Sequence, residues 1–333
     1  MAMIMRDREK VFMELRWDPV QGEWIMVSNL RGYRPWQPET YCPFCPGAPE
    51  TGYGWRALIL ENRFPMLVPE PPEPSRHSFY VTAKSVGRCY VVVESPIHSL
   101  DDLSDLPLDD VVYILDLVIE KQKEIEKESY ATYFIWFRNK GKEIGVSLTH
   151  PHSQIYVTPF IPSKIERELK NAEEYWRKNN ECLFCRILEV ESSDKIRVVY
   201  SSDCWMGFIP FYAHWPFEVH IYPKRHVQLI TQLTNNEVKD LAKVLKVVLC
   251  GLKILFSKPS PYIMVLHQAP LKGSYSYYHL HIEIYGMFRD ENKIKYAAGI
   301  ETGGGNFTYD STPEDNALKL KEKIDKCREE LIS

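Results

Sequence analysis

The sequence predicts an α+β protein made of two similar half-domains, each an antiparallel sheet with helices packed against it. Two Cys-x-x-Cys pairs, beginning at Cys42 and Cys182, each open a series of strands, one helix and further strands. Each series ends in a His-x-His pair. The chain has 333 residues, about twice the length of an average domain. We therefore expect an N-terminal half over residues 1–162 and a C-terminal half over residues 163–333.

The histidines of the two series occupy matching positions. The first series carries His98 and, 52 residues later, His150. The second carries His226 and, 53 residues later, His279. Chemically similar residues at nearly equal spacing indicate one structural unit used twice.

Composition excludes several classes of protein. The chain is 44% hydrophobic and 26% charged, which is typical of a globular protein, and its net charge of −4 does not favour nucleic acid or an anionic membrane as a partner. No apolar segment approaches the ~20 residues of a membrane span. The first ten residues carry both charge signs and no apolar stretch follows them, so we expect no signal peptide and a cytoplasmic location.

Apolar periodicity predicts one main helix in each half. In the first half, apolar residues over Val111–Ile119 and charges over Lys121–Lys127 indicate a helix with one wide buried face. In the second half, Thr234–Glu237 is a capping box, and apolar residues follow it at helical spacing as far as Phe256.

The other elements follow from local composition. Aromatic and β-branched residues predict strands over Tyr133–Phe137 and His279–Tyr285. Charged residues predict a helix over Lys164–Asn180 that connects the halves, and a last helix begins near Ser311 and ends at about Glu330. Two loops are expected, over Pro65–Pro74 and Gly303–Gly305.

The segment His-Pro-His-Ser-Gln is the strongest candidate for chemistry. In a strand, His150, His152 and Gln154 project to one side. A neutral imidazole is a nucleophile toward phosphorus, and a nearby amide can hold the oxygens of the phosphoryl group under attack. The alternative is a pair of packed or surface histidines, which the recurrence of the pattern as His279 and His281 disfavours.

Thiol and imidazole groups at these spacings suit tetrahedral zinc. The two predicted ligand sets are Cys42, Cys45, His98 and His150, and Cys182, Cys185, His226 and His279. The alternative at each site is a pair of buried cysteines without metal. The remaining cysteines are interpreted as scattered thiols: Cys89, Cys204, Cys250 and Cys327.

Two arginines near the start of the chain are candidates for phosphate binding. Arg31 and Arg34 carry the charge and the forked geometry that suit a phosphate. Solvated loop arginines are the alternative. Taken with the histidines, they favour a small phosphorylated ligand.

Over nearly its whole length the chain resembles the galactose-1-phosphate uridylyltransferase family, a two-repeat branch of the histidine-triad superfamily. The segments that carry the resemblance are Asp18–Ser28, Arg31–Trp36, Cys42–Gly47, Glu61–Pro65, Ser95–His98, Asn139–Gly141, Ser147, His150–Gln154, Trp215–Glu218, Pro223–His226, His267–Pro270 and Gly299–Glu301.

The resemblance implies a ping-pong transfer in two displacements. His152 attacks the α-phosphorus of UDP-glucose, glucose 1-phosphate leaves, and galactose 1-phosphate takes the uridylyl group, while Gln154 holds the phosphoryl oxygens. It also implies two structural zinc ions per chain and a homodimer. The implied substrate-binding residues are Arg31, Arg34, Asn139 and Ser147 at the phosphates, Asn62 near the nucleotide, and Lys295 and Glu301 at the hexose phosphate, from the second half or a partner subunit.

The chain departs from the family pattern at several points. Ser153 stands where the common motif has glycine, and the glutamine expected beyond Glu301 is replaced by the glycine-rich Gly303–Phe307, which resembles ADP-glucose phosphorylase. Glu283 is the counterpart of Gln154, so we expect the second half to be inactive because a carboxylate repels phosphate. Some relatives hold a second metal with residues that correspond here to Glu168, His267, His279 and His281.

Three hypotheses about function remain open on the sequence. The first is uridylyl transfer as described above. The second is an ADP-glucose or dinucleoside-polyphosphate phosphorylase that uses the same histidine, and the third is a non-catalytic zinc-binding interaction module.

Overall fold

The computed structural model describes residues 11–33 and 41–332. The strands are β1 Met13–Asp18, β2 Glu23–Ser28, β3 Leu58–Glu61, β4 Thr82–Ala83, β5 Arg88–Val93, β6 Tyr133–Lys140, β7 His152–Thr158, β8 Val198–Ser201, β9 Trp205–Phe208, β10 Phe217–Pro223, β11 Tyr262–His267, β12 His281–Gly286, β13 Phe288–Asp290 and β14 Lys293–Ile294. The α-helices are α1 Leu108–Ile125, α2 Ser163–Asn179, α3 Leu183–Asp194, α4 Asn235–Lys253, α5 Gly299–Gly304 and α6 Pro313–Ile332.

The main sheet is antiparallel and runs through both halves of the chain. Its strand order is β3-β5-β7-β6-β11-β12-β10-β9-β8, and β6 pairs with β11 to join the halves. A three-stranded sheet of order β2-β1-β4 lies apart from it. The predicted α+β class is confirmed, but the halves share one continuous sheet where the sequence predicted one sheet in each half.

Helices cover the two faces of the main sheet differently. Side chains such as Trp136 and Ile155 pack against α1, α4 and α6 in the largest apolar cluster. On the opposite face, Tyr133 and Tyr222 pack with residues of α2 and α3. In the N-terminal half that face meets β1 through contacts such as Leu15 with Tyr156.

Most predicted helices are confirmed, with their end signals. Glu237 N–H donates to the Thr234 hydroxyl, and Thr234 N–H donates to the Glu237 carboxylate at 2.8 Å, so the capping box opens α4. The charged connecting helix is α2, and the last helix is α6. The predicted loop over Gly303–Gly305 is partly wrong, because Ala298 N–H donates to the Glu301 carboxylate and the short helix α5 forms.

Cys250 and Cys327 form a disulfide between α4 and α6, so their interpretation as scattered thiols is wrong. The two helices approach closely at Gly251, where an added Cβ would lie 2.5 Å from Cγ1 of Ile324. This close approach brings the two cysteine Cα atoms to 6.0 Å. The cysteines are 77 positions apart, and no local pattern marks them as partners.

Within residues 11–33 and 41–332, no helix combines the length and the apolar character required to cross a bilayer.

Loss of the disulfide should destabilise the fold. Because the bond closes a long loop, Cys327→Ala should lower the free energy of unfolding by about 2–4 kcal/mol. Thermal unfolding of this variant measures the loss of stability. Cys89→Ala is the control, because it replaces a buried cysteine that forms no disulfide. Alkylation of the unfolded, unreduced native chain should label six cysteines, and labelling of all eight would contradict the disulfide.

Candidate active site and metal centres

Strand β7 places the two candidate catalytic side chains on one face of the sheet. His152 pairs with Val93 of β5, and Gln154 lies between Val91 of β5 and Phe137 of β6. Because side chains alternate along a strand, His152 and Gln154 share the face opposite α1 and α4. Both are almost fully buried.

His150 does not share that strand, which corrects the sequence prediction. Pro151 has no N–H to donate, and β7 begins only at His152. The His150 ring is therefore directed to a separate cluster, with its Nδ1 3.6 Å from Cys42 Sγ. The backbone still connects the two histidines.

A backbone hydrogen bond sets the tautomer of His152. Its Nδ1 lies 2.8 Å from the carbonyl oxygen of His150, an acceptor, so the proton is on Nδ1 and the lone pair is on Nε2. The ring of Phe44 packs beside the imidazole, with centroids 5.3 Å apart. In this tautomer Nε2 is the ring nitrogen that could act as a nucleophile.

A cavity of about 200 Å³ opens at His152. Its lining includes Asn139 and two lysines, Lys140 and Lys142, with Lys140 paired to Asp101. Cationic side chains and an amide beside a nucleophilic imidazole suit a phosphorylated ligand. The lysines were not singled out on the sequence, although they flank the glycine of the predicted Asn-Lys-Gly turn.

Three other residues predicted to bind the phosphates or the nucleotide lie within the described residues. Ser147 is buried, and its neighbours in the sequence, Val146 and Leu148, line the cavity. The Ser147 hydroxyl has no hydrogen-bond partner among residues 11–33 and 41–332. Asn62 follows β3 and accepts a hydrogen bond from Phe64 N–H. Arg31 lies near the buried Cys89. Burial raises the pKa of the Cys89 thiol to about 11, and the charge of Arg31 acts to lower that pKa. Arg34 lies outside the described residues.

Lys295 and Glu301 are not brought to His152 within one chain. Their side chains lie 3.6 Å apart, and both contact Thr308, whose hydroxyl donates to the Glu301 carboxylate at 2.7 Å. Neither residue lines the cavity at His152.

The first predicted metal cluster has the geometry of a tetrahedral site. Cys45 Sγ lies 3.3 Å from His98 Nδ1 and 3.7 Å from His150 Nδ1, and the two Nδ1 atoms are 3.3 Å apart. Zinc at its usual bond lengths separates sulfur from nitrogen by about 3.5 Å and nitrogen from nitrogen by about 3.4 Å. The four donors, including Cys42, therefore fit one zinc ion.

The surroundings of His150 favour metal binding. Burial lowers the pKa of His150, which keeps the imidazole neutral, the form that coordinates a metal. Its Nε2 lies 2.7 Å from the carbonyl oxygen of Ser95. Metal-bound histidines commonly donate their second ring N–H to such a carbonyl.

The second predicted cluster repeats this geometry. Cys185 Sγ lies 3.2 Å from His226 Nδ1 and 3.4 Å from His279 Nδ1. The hydrogen bond from the Cys185 thiol lowers the pKa of Cys182 to about 3, with further contributions from the two histidines. A readily formed thiolate beside two imidazoles suits a soft divalent cation.

A third group of possible ligands lies beside the second cluster: Glu168, His267, His281 and Glu283. The alternative set proposed on the sequence contained His279, which the structure groups with the cysteines instead. The third group is already hydrogen-bonded, because Lys164 and Tyr285 donate to Glu283 and Tyr278 donates to Glu168.

The second half reproduces the histidine geometry of the first but has a carboxylate beside the ring. His281 Nδ1 lies 2.9 Å from the carbonyl oxygen of His279, and Phe184 packs beside His281 as Phe44 does beside His152. Glu283 occupies the strand position of Gln154 and lies 3.6 Å from His281. The repeated Phe within each Cys-x-x-Cys pair is the sequence signal that predicts these ring contacts.

Comparison with known proteins assigns the chain to a family. Models of the N-terminal and C-terminal domains of galactose-1-phosphate uridyl transferase match residues 3–162 and 168–331. Galactose-1-phosphate uridylyltransferase of Thermotoga maritima is 36% identical, over 93% of this chain and 98% of that protein. The rat protein of the same name is 31% identical, over 96% of this chain and 90% of that protein.

Solved structures agree with the sequence comparison. A uridylyltransferase structure is 54% identical with a TM-score of 0.89, over 95% of this chain and 99% of that chain. An ADP-glucose phosphorylase from Arabidopsis thaliana, with bound ADP-glucose, is 28% identical with a TM-score of 0.74, over 93% of this chain and 99% of that chain.

The fold and site define a duplicated protein with one His-x-His-x-Gln segment at a cationic cavity. The chain belongs to the galactose-1-phosphate uridylyltransferase family.

The two cysteine clusters should each hold one metal ion. Cys45→Ser and Cys185→Ser should each lower the metal content from two ions per chain to one, because each removes a thiolate ligand. Cys204→Ser is the matched control, since Cys204 is a free cysteine outside both clusters. Elemental analysis of the purified proteins measures the content, and a native value of three would mean that the acidic third group also binds metal.

Proposed function

We propose that the chain transfers a uridylyl group from UDP-glucose to galactose 1-phosphate through a covalent intermediate on His152. The observation that carries this proposal is the orientation of His152, whose Nδ1 proton is held by the His150 carbonyl while the ring faces a cavity with two lysines. Family membership supports the choice of substrates.

In the first displacement, His152 Nε2 attacks the α-phosphorus of UDP-glucose. A P–N bond forms, the bond from that phosphorus to the bridging oxygen breaks, and glucose 1-phosphate leaves with the electron pair. The imidazole becomes cationic, and the His150 carbonyl, which accepts the Nδ1 proton, stabilises that charge.

In the second displacement, a phosphate oxygen of galactose 1-phosphate attacks the same phosphorus. The P–N bond breaks, its electron pair returns to His152 Nε2, and UDP-galactose forms. The two steps use one nucleophile and one cavity, so the kinetics are ping-pong.

Other polar residues near His152 stabilise charge on the phosphoryl group. Gln154 lies two residues after the nucleophile on the same face, so its amide is placed to donate to the oxygens. Asn139 and the buried Ser147 hydroxyl supply further polar contacts. We assign Arg31 and Arg34 to the phosphates and Asn62 to the nucleoside.

We propose that both cysteine clusters bind zinc and that the zinc is structural. Cys42, Cys45, His98 and His150 hold one ion, and Cys182, Cys185, His226 and His279 hold the other. Each ion cross-links a Cys-x-x-Cys loop to two distant histidines. In the first site this fixes His150 and, through its backbone, His152.

The chain is proposed to act as a homodimer. Lys295 and Glu301 lie away from the His152 cavity of their own chain. A partner subunit that supplies them would complete the hexose site.

We assign residues 1–162 to the catalytic half and residues 163–333 to the half with the second zinc. A cytoplasmic location is proposed because the four thiols of the clusters must stay reduced to bind zinc, and the Cys250–Cys327 disulfide would then have to form inside the cell.

The second candidate function is ADP-glucose phosphorylase. The solved phosphorylase with bound ADP-glucose aligns over 93% of the chain, and the glycine-rich segment after Glu301 favours the same reading. It would use the same histidine, with phosphate as the acceptor.

Incubation with a nucleotide sugar and no acceptor should leave a covalent adduct. Intact-protein mass spectrometry should show one uridylyl group after UDP-glucose, none on His152→Gly, and discharge on adding galactose 1-phosphate. His281→Ala is the matched control and should still be labelled, because Glu283 beside it repels phosphate.

Other outcomes of this experiment are equally decisive. An adenylyl adduct from ADP-glucose that phosphate discharges would replace the proposal with the phosphorylase. A native chain that forms no adduct with either nucleotide sugar would contradict covalent catalysis and favour a zinc-binding module.

Gln154→Glu should disable transfer without unfolding the chain. The substitution places the residue of the inactive half beside His152, and the new carboxylate repels the phosphoryl oxygens. Removing one stabilising donor costs about 100-fold in kcat, and the added charge makes this a lower bound. Steady-state kinetics check the value, and a kcat within threefold of native would show that Gln154 does not contact the phosphoryl group.

A further inference from the structure

A buried polar network lies on the reverse face of the sheet, directly behind His152. Ser153 follows the histidine along β7, so alternation turns its side chain to the face that α1 and α4 cover. Its hydroxyl accepts a hydrogen bond from the indole N–H of Trp136 at 2.9 Å. Ser153 pairs with Val92, two residues before Glu94, so the Ser153 and Glu94 side chains are neighbours on this face. Burial raises the pKa of the Glu94 carboxyl, and the Ser153 hydroxyl acts to lower it. A glycine at this position could make neither contact.

The network continues through an arginine toward the C-terminal half. Arg138 Nε donates to Glu94 Oε2 at 3.0 Å, and its Nη1 donates to the Tyr262 hydroxyl at 2.7 Å. Tyr262 in turn donates to Asp102 at 2.6 Å. Tyr262 belongs to β11, so this chain of contacts crosses the seam between the halves.

Glu94, a member of this network, also contacts the backbone next to His152. Glu94 N–H donates to the carbonyl oxygen of Pro151, the residue before His152, at 3.1 Å. Pro151 offers no N–H of its own, and regular pairing of β7 starts only at His152. The backbone of Glu94 therefore holds the residue before His152, and its side chain is a neighbour of the residue after it.

Stability alone does not account for this arrangement. Glu94, Arg138 and Asp102 are at most 2% exposed, and desolvating three charged groups offsets much of their mutual attraction. Apolar side chains of similar volume would stabilise a sheet–helix interface about as well. What apolar side chains would not supply is a polar neighbour for Ser153 or the ion pair with Arg138 that anchors Glu94, the residue whose backbone N–H donates to Pro151.

We propose that Ser153 and Tyr262 are positioning residues, which act through Glu94 and Arg138 to hold His152 in line with the phosphorus under attack. This proposal rests on the function proposed above. The C-terminal half would then support catalysis as well as bind zinc, because Tyr262 accepts the hydrogen bond from Arg138 across the seam.

A double-mutant cycle on the uncharged ends of the network tests the proposal. Ser153→Ala and Tyr262→Phe each remove one hydroxyl and leave the Arg138–Glu94 ion pair in place. Each should slow adduct formation at saturating nucleotide sugar by about 3- to 10-fold, the size of one lost hydrogen bond. KM should stay within twofold, since neither Ser153 nor Tyr262 lines the cavity at His152. The double variant should be no more than twofold slower than the slower single variant.

Tyr133→Phe is the matched control. It removes another fully buried hydroxyl from the same sheet, one that accepts a hydrogen bond from Gln268 N–H away from His152. Its thermal stability should fall as much as that of Tyr262→Phe, with the adduct rate unchanged. If Tyr262→Phe does not fold, Glu94→Gln takes its place in the cycle, because it keeps the shape of the side chain and weakens the contact to Arg138.

Several results would overturn the proposal. Native adduct rates in both single variants, multiplicative effects in the double variant, or an equal slowing by Tyr133→Phe would each show that the network is only structural. These results are distinct from failure of the proposed function, in which the native chain itself forms no adduct. The nucleotide sugar used is the one that labels the native chain.

Discussion

The hydrogen bond between His152 Nδ1 and the His150 carbonyl is the interaction on which the site depends. One residue supplies two connections, because the His150 side chain belongs to the first cysteine cluster while its backbone orients the next imidazole. The zinc proposed there would fix His150 and thereby the tautomer of His152. Pro151 strengthens this connection, since it has no N–H and a restricted φ.

Duplication explains why two similar halves have different chemistry. Both halves hold a histidine Nδ1 against the carbonyl two residues earlier and pack a phenylalanine beside the ring. They differ two residues after the histidine, where the first half has Gln154 and the second has the buried Glu283, which pairs with Lys164. In the second half the carboxylate would repel a phosphate. One continuous sheet joins the two halves through the pairing of β6 with β11.

Short-range signals predicted much of the molecule. The capping box of α4, the repeated Cys-x-x-Cys pairs and the alternation of His152 and Gln154 are local patterns, and the structure places each close to expectation. The joined sheet, the disulfide and the Arg138 network could not be predicted in this way. Their members are brought together by folding alone, as with the Tyr262 to Asp102 contact, which spans 160 positions. The charges at the cavity mouth were visible in the sequence, but only the fold showed which of them face His152.

The central claim is that Nε2 of one oriented histidine carries the nucleotidyl group. Nuclear magnetic resonance of the adduct, formed on protein with ¹⁵N-labelled histidine, tests it through the coupling between phosphorus and nitrogen. The account predicts one phosphorus signal coupled to a histidine Nε2, absent from His152→Gly. Coupling to an Nδ1 atom, or a phosphorus bound to oxygen, would contradict the orientation that the His150 carbonyl imposes.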